Sequence, residues 1–205
     1  MIDFIDFLSE RLKKDLPGEN AHKTFAPYRY TQVSRDEAKL YRKSAVAVHF
    51  FQKKEDWYFV LIERSEYDGT HSKQIAFPGG KCDPDDLNPE NTARRESFEE
   101  IGLQMHEGQF IGTLTEVNIP VSKFNVLPHV FIHSNPIQNL QLNEREVNAI
   151  LFVSLNELLE HPSKKMEIIQ LSSGMKLQVP CFILQEKIVW GATALMLNEI
   201  KILLS

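Results

Sequence analysis

Cysteine is scarce. Only Cys82 and Cys181 occur in 205 residues, far apart and without the spacing of a thiolate metal site. Neither a disulfide framework nor a structural zinc is expected, and a reduced, cytoplasmic setting is the simplest reading. No apolar run reaches the roughly 18 residues of a membrane-spanning helix. The opening MIDFIDFLSERLKKDL carries acids early and lacks the basic start and unbroken apolar stretch of a signal peptide. Positive charge is also short: Lys and Arg number 23 against 28 Asp and Glu, and 23 − 28 = −5. Such a surface does not draw nucleic-acid backbones or anionic membranes, so a phosphate-bearing ligand must be held by a local site. Repeats and low-complexity linkers are missing as well, which sets repeat architectures aside.

What is present is a globular composition, 42% hydrophobic and 25% charged. One domain over residues 1–205 is expected, with 1–42 as an N-terminal helix and lead-in. Ile2, Ile5, Leu8 and Leu12 repeat at steps of three and four and predict an amphipathic helix over about 2–14, which LPGE ends. Residues 18–43 show no firm period. YRYTQV suits a strand, and RDEAKLYRK a short helix or an extended lead-in. AVAVHFF and WYFVLIER, rich in β-branched and aromatic residues around QKKED, predict a hairpin of well-buried strands. TLTEVNI, FNVLPHVFI and VNAILFVSL predict three further strands, LNELLEH and GATALMLNEIKILL two closing helices. Strands before and after helices point to an α/β or α+β domain.

Asn88 is a good N-cap, Pro89 suits the first helical position and Gly102 a helix end, which predicts a helix over about 89–101. At about 100° per residue, Glu96, Glu99 and Glu100 share one sector, while Ala93, Ser97, Phe98 and Ile101 provide a packing face. These acids sit in the last two turns, the wrong end for the helix dipole, and crowd one another at i,i+3 and i,i+4. Arg95 offsets part of this by pairing with Glu99. A divalent cation, Mg²⁺ or Mn²⁺, resolves the remainder, since hard oxygen ligands on a rigid element suit it. The bland reading is a solvated acidic stripe.

The preceding segment weighs against the stripe. Residues 66–88 form a long loop holding IAFPGGK, where Gly79 and Gly80 permit close backbone approach and Pro78 stiffens the entry. Together with RESFEEIGL, this segment resembles the Nudix box of the Nudix hydrolases, G-x5-E-x7-R-E-U-x-E-E-x-G-U with U aliphatic. Gly80, Arg95, Glu96, Glu99, Glu100, Gly102 and Leu103 match. The spacing from Gly80 to Arg95 is one residue longer than the pattern, which makes Asp86 the box's first acid, and Ser97 stands where an aliphatic residue is usual. The flank VLIERSEYDGTHSKQIAFPGGK is similar to that of the coenzyme A pyrophosphatase subgroup, with Leu61, Arg64, Ser65, Phe77, Pro78, Gly79 and Gly80 in agreement. Ile62, Gly69 and Lys73 depart from that pattern; Gly69 replaces an arginine, for which Lys73 is not an equivalent.

The resemblance implies an α/β/α sandwich with a mixed β-sheet between helices, and metal-dependent hydrolysis of a nucleoside diphosphate derivative. Coenzyme A or acyl-CoA leads, giving 3′,5′-ADP and 4′-phosphopantetheine, with ADP-ribose or NADH as runner-up. It implies Glu96, Glu99 and Glu100 as metal ligands, joined by a carbonyl of Gly79 or Gly80, with Gly80 preferred. One of the glutamates would be the base and Arg95 would orient them. Arg64, Lys73, Phe77, Gly79 and Gly80 are the substrate-binding candidates. The expected partner is a small nucleotide substrate, with a homodimer left open and no nucleic acid or membrane.

Other features rank lower. His129 and His133 share a predicted strand but lack further zinc ligands. Cys82 has no nearby histidine, and Phe124, Trp57 and Trp190 suit the core. Glu144 and Glu146 are either an exposed acidic turn or an addition to the site. A non-catalytic nucleotide-binding module remains the alternative of a different class; three crowded carboxylates argue against it.

Overall fold

A computed structural model describes residues 4–26, 35–65, 74–162, 164–170 and 174–205. The suggested YRYTQV strand and the candidate residue Lys73 lie outside these. The first helix, α1, is Phe4–Leu12, followed by α2 (Gly18–Phe25) and the single turn α3 (Arg35–Ala38). The expected hairpin is present as β1 (Arg42–Lys53) and β2 (Asp56–Arg64), antiparallel with Phe50 opposite Phe59. Two short strands follow, β3 (Ile75–Ala76) and β4 (Gly79–Lys81), then helix α4 (Pro89–Ile101). Strands β5 (Gln109–Thr113), β6 (Val117–Ile119), β7 (Phe124–His133) and β8 (Val147–Ser154) lead to helix α5 (Leu155–Glu160). The chain closes with β9 (Lys165–Gln170), β10 (Lys176–Leu184), β11 (Lys187–Trp190) and helix α6 (Gly191–Leu204).

The main sheet runs β3-β2-β1-β7-β5, with β4 on β1, β6 on β7 and β8 on β2. Its β1–β7 pair is parallel and the others antiparallel, so the sheet is mixed, as expected. Alternation along the strands sorts side chains to two faces. Val48, Phe50, Phe59, Leu61, Val130 and Ile132 join one core with residues of α1, α2 and α6. Ala45, Ala47 and Phe131 face Ala93 of α4 on the other side. Helices thus cover both faces, the arrangement the resemblance implied. The small side chains of Ala45 and Ala47 let α4 lie close to the sheet.

Three expectations need correction. TLTEVNI is not one strand, because Thr115 turns its N–H and its hydroxyl (2.7 Å) to the Glu199 carboxylate instead of a neighbouring strand. Residues 18–25 form a helix, whose buried Gly18, Ala21, His22 and Phe25 fit a helical spacing too short to stand out. The chain beyond residue 160 adds a second sheet, ordered β11-β10-β9. Charged and amide residues break the apolar pattern of these strands, and Pro180 lies within β10. Among the described residues no helix is long and apolar enough to cross a membrane.

Glu199 ties the N-terminal segment to the body. It is fully buried on α6 and accepts from His22 Nε2 (3.0 Å), Gly18 N (3.3 Å) and Thr115. Burial pushes its carboxyl up, but the bonds from His22 and Thr115 outweigh this and hold it below its ordinary range. Glu199→Ala leaves these donors unpaired in the interior and is expected to cost about 3–5 kcal/mol. Denaturant unfolding measures this, and a loss under 1 kcal/mol would show that the network adds little.

Candidate active site

Helix α4 forms where local rules place it. The Asn88 side chain accepts from Asn91 N (2.9 Å), Pro89 opens the helix, and Gly102 closes it at a left-handed φ of 72°. Its last two turns lie across β4. A Cβ on Gly80 would sit 2.5 Å from the Glu96 carboxylate, and one on Gly79 2.4 Å from the Ala45 carbonyl oxygen. Gly79 also holds a φ of 152°. The two glycines are therefore the floor on which the acids rest.

The three glutamates do not share one environment. Glu100 is fully buried, accepting from Gly79 N (2.8 Å) and Arg64 Nη1 (3.2 Å). Glu96 is half-buried over Gly80, and Glu99 is exposed. The anticipated packing face is corrected accordingly: Phe98 is 45% exposed, and Glu100 turns inward. A helical wheel gives the angle between side chains, not which arc meets the sheet.

Arg95 organises the acids. Its Nη1 donates to Glu96 and Glu99, both at 2.9 Å, while Nε and Nη2 donate to Asp86 at 3.0 Å each. Asp86 is itself fixed by the Asp83 N–H (2.9 Å) and the Thr92 hydroxyl (2.7 Å). The Arg95 guanidinium holds the Asp86 carboxyl at about 2. The adjacent Arg94 has a separate task that the sequence did not disclose. It pairs with Glu90 (2.9 Å), donates to the carbonyls of Met105, Glu107 and Gly108, and lies over Phe131.

A further acid joins. The 143–147 turn docks through Asn143 N to Glu100 O (3.0 Å) and Ser65 N to Glu146 O (2.8 Å). The Glu146 charge there helps to raise both Glu96 and Glu100, though burial is the main cause for each. Glu100 is pushed up to about 8, with Arg64 and Gly79 N–H pulling the other way. Glu144 contributes its backbone carbonyl, which accepts from Ser65 Oγ (3.1 Å).

The donors are hard oxygens in a place where negative charge is crowded, which fits a divalent cation. Among the described residues no three acidic, histidine or thiol side chains yet close on one point. Glu96 and Glu99 would have to turn from Arg95 to do so. The Gly80 carbonyl accepts from Ser44 Oγ (2.6 Å), and Gly80 stands opposite Ala45 in the β1–β4 ladder. Phe77 is buried in the core against Phe59 and reaches the site only as a wall of the adjoining cavity. Arg64 lines that cavity, its Nε buried without a partner.

Ser97 makes a buried chain rather than the weakened packing its polarity suggested. Its hydroxyl donates to Ala93 O (2.7 Å), so His49 Nε2 must donate to Ser97 (2.9 Å) and His133 Nε2 to His49 Nδ1 (3.0 Å). His49, donating at Nε2 and accepting at Nδ1, is thereby neutral. His129 bonds separately to Leu127 O (3.1 Å), so the two histidines of β7 form no pair. Burial drives His49 well below its ordinary value, helped by His133 and Arg94; burial and then Arg94 push His133 down to about 4.

Residues 40–171 match the NUDIX domain profile. The chain is 33% identical over 135 residues to the mitochondrial coenzyme A diphosphatase NUDT8 of Mus musculus, covering 65% of this chain and 63% of that protein. It therefore spans somewhat under two thirds of that relative's length. Nudix hydrolase 3 of Caenorhabditis elegans is 32% identical over 164 residues, covering 71% of this chain and 66% of that protein. Among solved structures, a MutT/nudix family protein from Enterococcus faecalis aligns with a TM-score of 0.55 at 13% identity, over 93% of this chain and 76% of that one. This last likeness concerns the fold alone.

Two outcomes follow from this geometry. Gly79→Ala meets backbone and is expected to cost at least ~2 kcal/mol, whereas Gly80→Ala meets only a movable carboxylate and stays within ~1 kcal/mol of the parent. Equal falls in thermal midpoint would contradict it. For the histidines, the depressed folded value of His133 makes stability level above pH 6.5. Below that the unfolded chain takes a proton the fold refuses, and stability falls until about pH 4, by about 3 kcal/mol from His133. Denaturation followed between pH 7 and 4, with His133→Asn beside the parent, measures this; identical slopes would remove His133 as the cause.

Proposed function

The chain belongs to the Nudix family, and on that premise we propose that it hydrolyses a diphosphate linkage with a divalent cation, coenzyme A or acyl-CoA being the substrate. The observation that carries the reaction is the seating of Glu96 and Glu100 on Gly80 and Gly79, beside the Arg95–Asp86 pair. The likeness to NUDT8 and the FPGG segment with Arg64 and Ser65 support the substrate. The free Cys82 and Cys181 suit a reduced compartment such as the cytoplasm.

Glu96, Glu99 and Glu100, with the Gly80 carbonyl, would hold Mg²⁺ or Mn²⁺. Such a cation, when bound, neutralises phosphate charge and acidifies water. The chain's own residues prepare that chemistry. Asp86 anchors Arg95, and Arg95 offsets the repulsion between Glu96 and Glu99 until they turn from it to a cation. One of these three glutamates receives the proton from water. Arg64 restrains Glu100 and keeps Nε for a phosphate oxygen.

The test is a panel of CoA, dephospho-CoA, ADP-ribose and NADH with Mg²⁺ or Mn²⁺, followed by product identification. CoA should yield 3′,5′-ADP and 4′-phosphopantetheine with the highest specificity constant, and chelation should abolish turnover. Glu99→Gln and Glu100→Gln should each lower turnover by at least ~10²-fold, without a matching fall in the cation-free thermal midpoint. Full activity in both variants, or after exhaustive chelation, defeats the mechanism. A preference for ADP-ribose defeats only the substrate, and tight nucleotide binding without any product would make the chain a binding module.

A further inference from the structure

A cavity of about 450 Å³ adjoins Gly79 and Gly80 and extends between the β6–β7 hairpin, β10, β11 and α6. Among the described residues, two polar side-chain atoms of its lining are buried without a hydrogen-bond partner. One is Arg64 Nε, which enters from β2 beside the acids. The other is Ser122 Oγ, in the turn between β6 and β7. A buried hydroxyl that bonds to nothing costs the fold stability, and a ligand that pairs with it removes that cost.

The backbone fixes Ser122 in place. Its carbonyl accepts from Arg42 Nη2 (2.9 Å), Lys123 N donates to Pro120 O (3.3 Å) and Arg42 N to Lys123 O (2.9 Å). The exposed Arg42 guanidinium lies over Phe124, 4.1 Å from the ring centre, with Nε and Nη1 still free to donate. Lys81 lines the same cavity from β4. Among the described residues no acid pairs with Arg42, Lys81 or Lys123, which makes this a basic corner in a chain of net charge −5. Ser44 donates to Gly80 O (2.6 Å), and Arg42 lies two residues earlier on the same face of β1. At about 3.3 Å per residue, that places the corner roughly 7 Å along the strand from Gly80. The two phosphorus atoms of a diphosphate share an oxygen and cannot span this, whereas a phosphate carried across a sugar ring can. Hydroxyl and guanidinium donors suit the three terminal oxygens and the charge of such a monoester.

We propose that Ser122 and Arg42, with Lys81 beside them, form an anion subsite for a phosphate monoester on the substrate's ribose. The subsite selects a nucleotide derivative that bears this third phosphate over its counterpart without it. The inference rests on the diphosphate hydrolysis proposed above and adds residues that choose among its substrates.

The experiment compares specificity constants for CoA and dephospho-CoA, which differ only in the ribose phosphate, in the whole chain and two variants. Arg42→Gln removes the charge. Ser122→Ala removes a hydroxyl that bonds to nothing, so the ligand-free thermal midpoint should not fall. The parent should prefer CoA by at least ~10-fold, and each variant should remove most of that preference. A parent without the preference overturns the proposal, as do variants that keep it in full by losing equally on both substrates. A lower midpoint in Ser122→Ala would give the hydroxyl a partner within the fold and overturn its assignment. Should neither substrate be cleaved, the reaction proposed above fails, and calorimetric titration with 3′,5′-ADP against AMP decides the subsite alone. Tighter binding of 3′,5′-ADP that both variants weaken supports it, and equal binding overturns it.

Discussion

The close seating of α4 on the Gly79–Gly80 strand governs the candidate site. Glu96 occupies the space a Gly80 side chain would need, and the Gly79 N–H holds the Glu100 carboxylate in the interior. A side chain at Gly80 would displace the Glu96 carboxylate, and one at Gly79 would collide with the β1 backbone at Ala45 and Val46. The small Ala45 and Ala47 beneath Ala93 serve the same closeness from the sheet. Their burial yields little apolar area, so caps, the Arg94 clamp and the Ser97–His49–His133 chain fasten the helix instead.

That closeness has an electrostatic consequence. Acids at a helix C-terminus oppose its dipole, and burial works against the charged forms of Glu96 and Glu100. Arg95 and Arg64 offset part of this, and Asp86 keeps Arg95 in place from outside the helix. The crowding that makes this arrangement costly for stability is what suits it to a cation and a phosphate. The rest of the fold absorbs the cost through its larger core on the opposite face of the sheet, where α1, α2 and α6 pack.

The second sheet gives the site its other character. Leu177 of β10 and Trp190 of β11 bring apolar surface to the glycine strand, and α6 closes the space with Met196. The N-terminal segment secures α6 in turn through the buried His22–Glu199 pair. A crowded acidic face and an apolar cavity thus meet at one strand, each supplied by a different part of the chain.

Much of this was legible in the residues, wherever the rule is local. Asn88, Pro89 and Gly102 mark both ends of α4 because capping depends on neighbours in the chain. The β1–β2 hairpin follows from alternation around a short polar turn. The match of Gly80, Arg95, Glu96, Glu99 and Glu100 to the Nudix box identifies the family without reference to any fold. The strands β9 to β11 escaped because polar residues and Pro180 hide their pattern, and α2 because eight residues hold too few turns.

What no local rule contains is which side of each element meets which partner. The sequence by itself determined the helix, its acids, the glycines before it and hence the family. Only the tertiary structure decided that Glu100 is buried while Phe98 is exposed, and that Glu146 joins the acids. It also decided that Thr115 leaves its strand for Glu199, and that an apolar cavity opens beside the site. The physical reason is common to all four. Burial and charge depend on distances across the fold, between residues that the chain order keeps far apart.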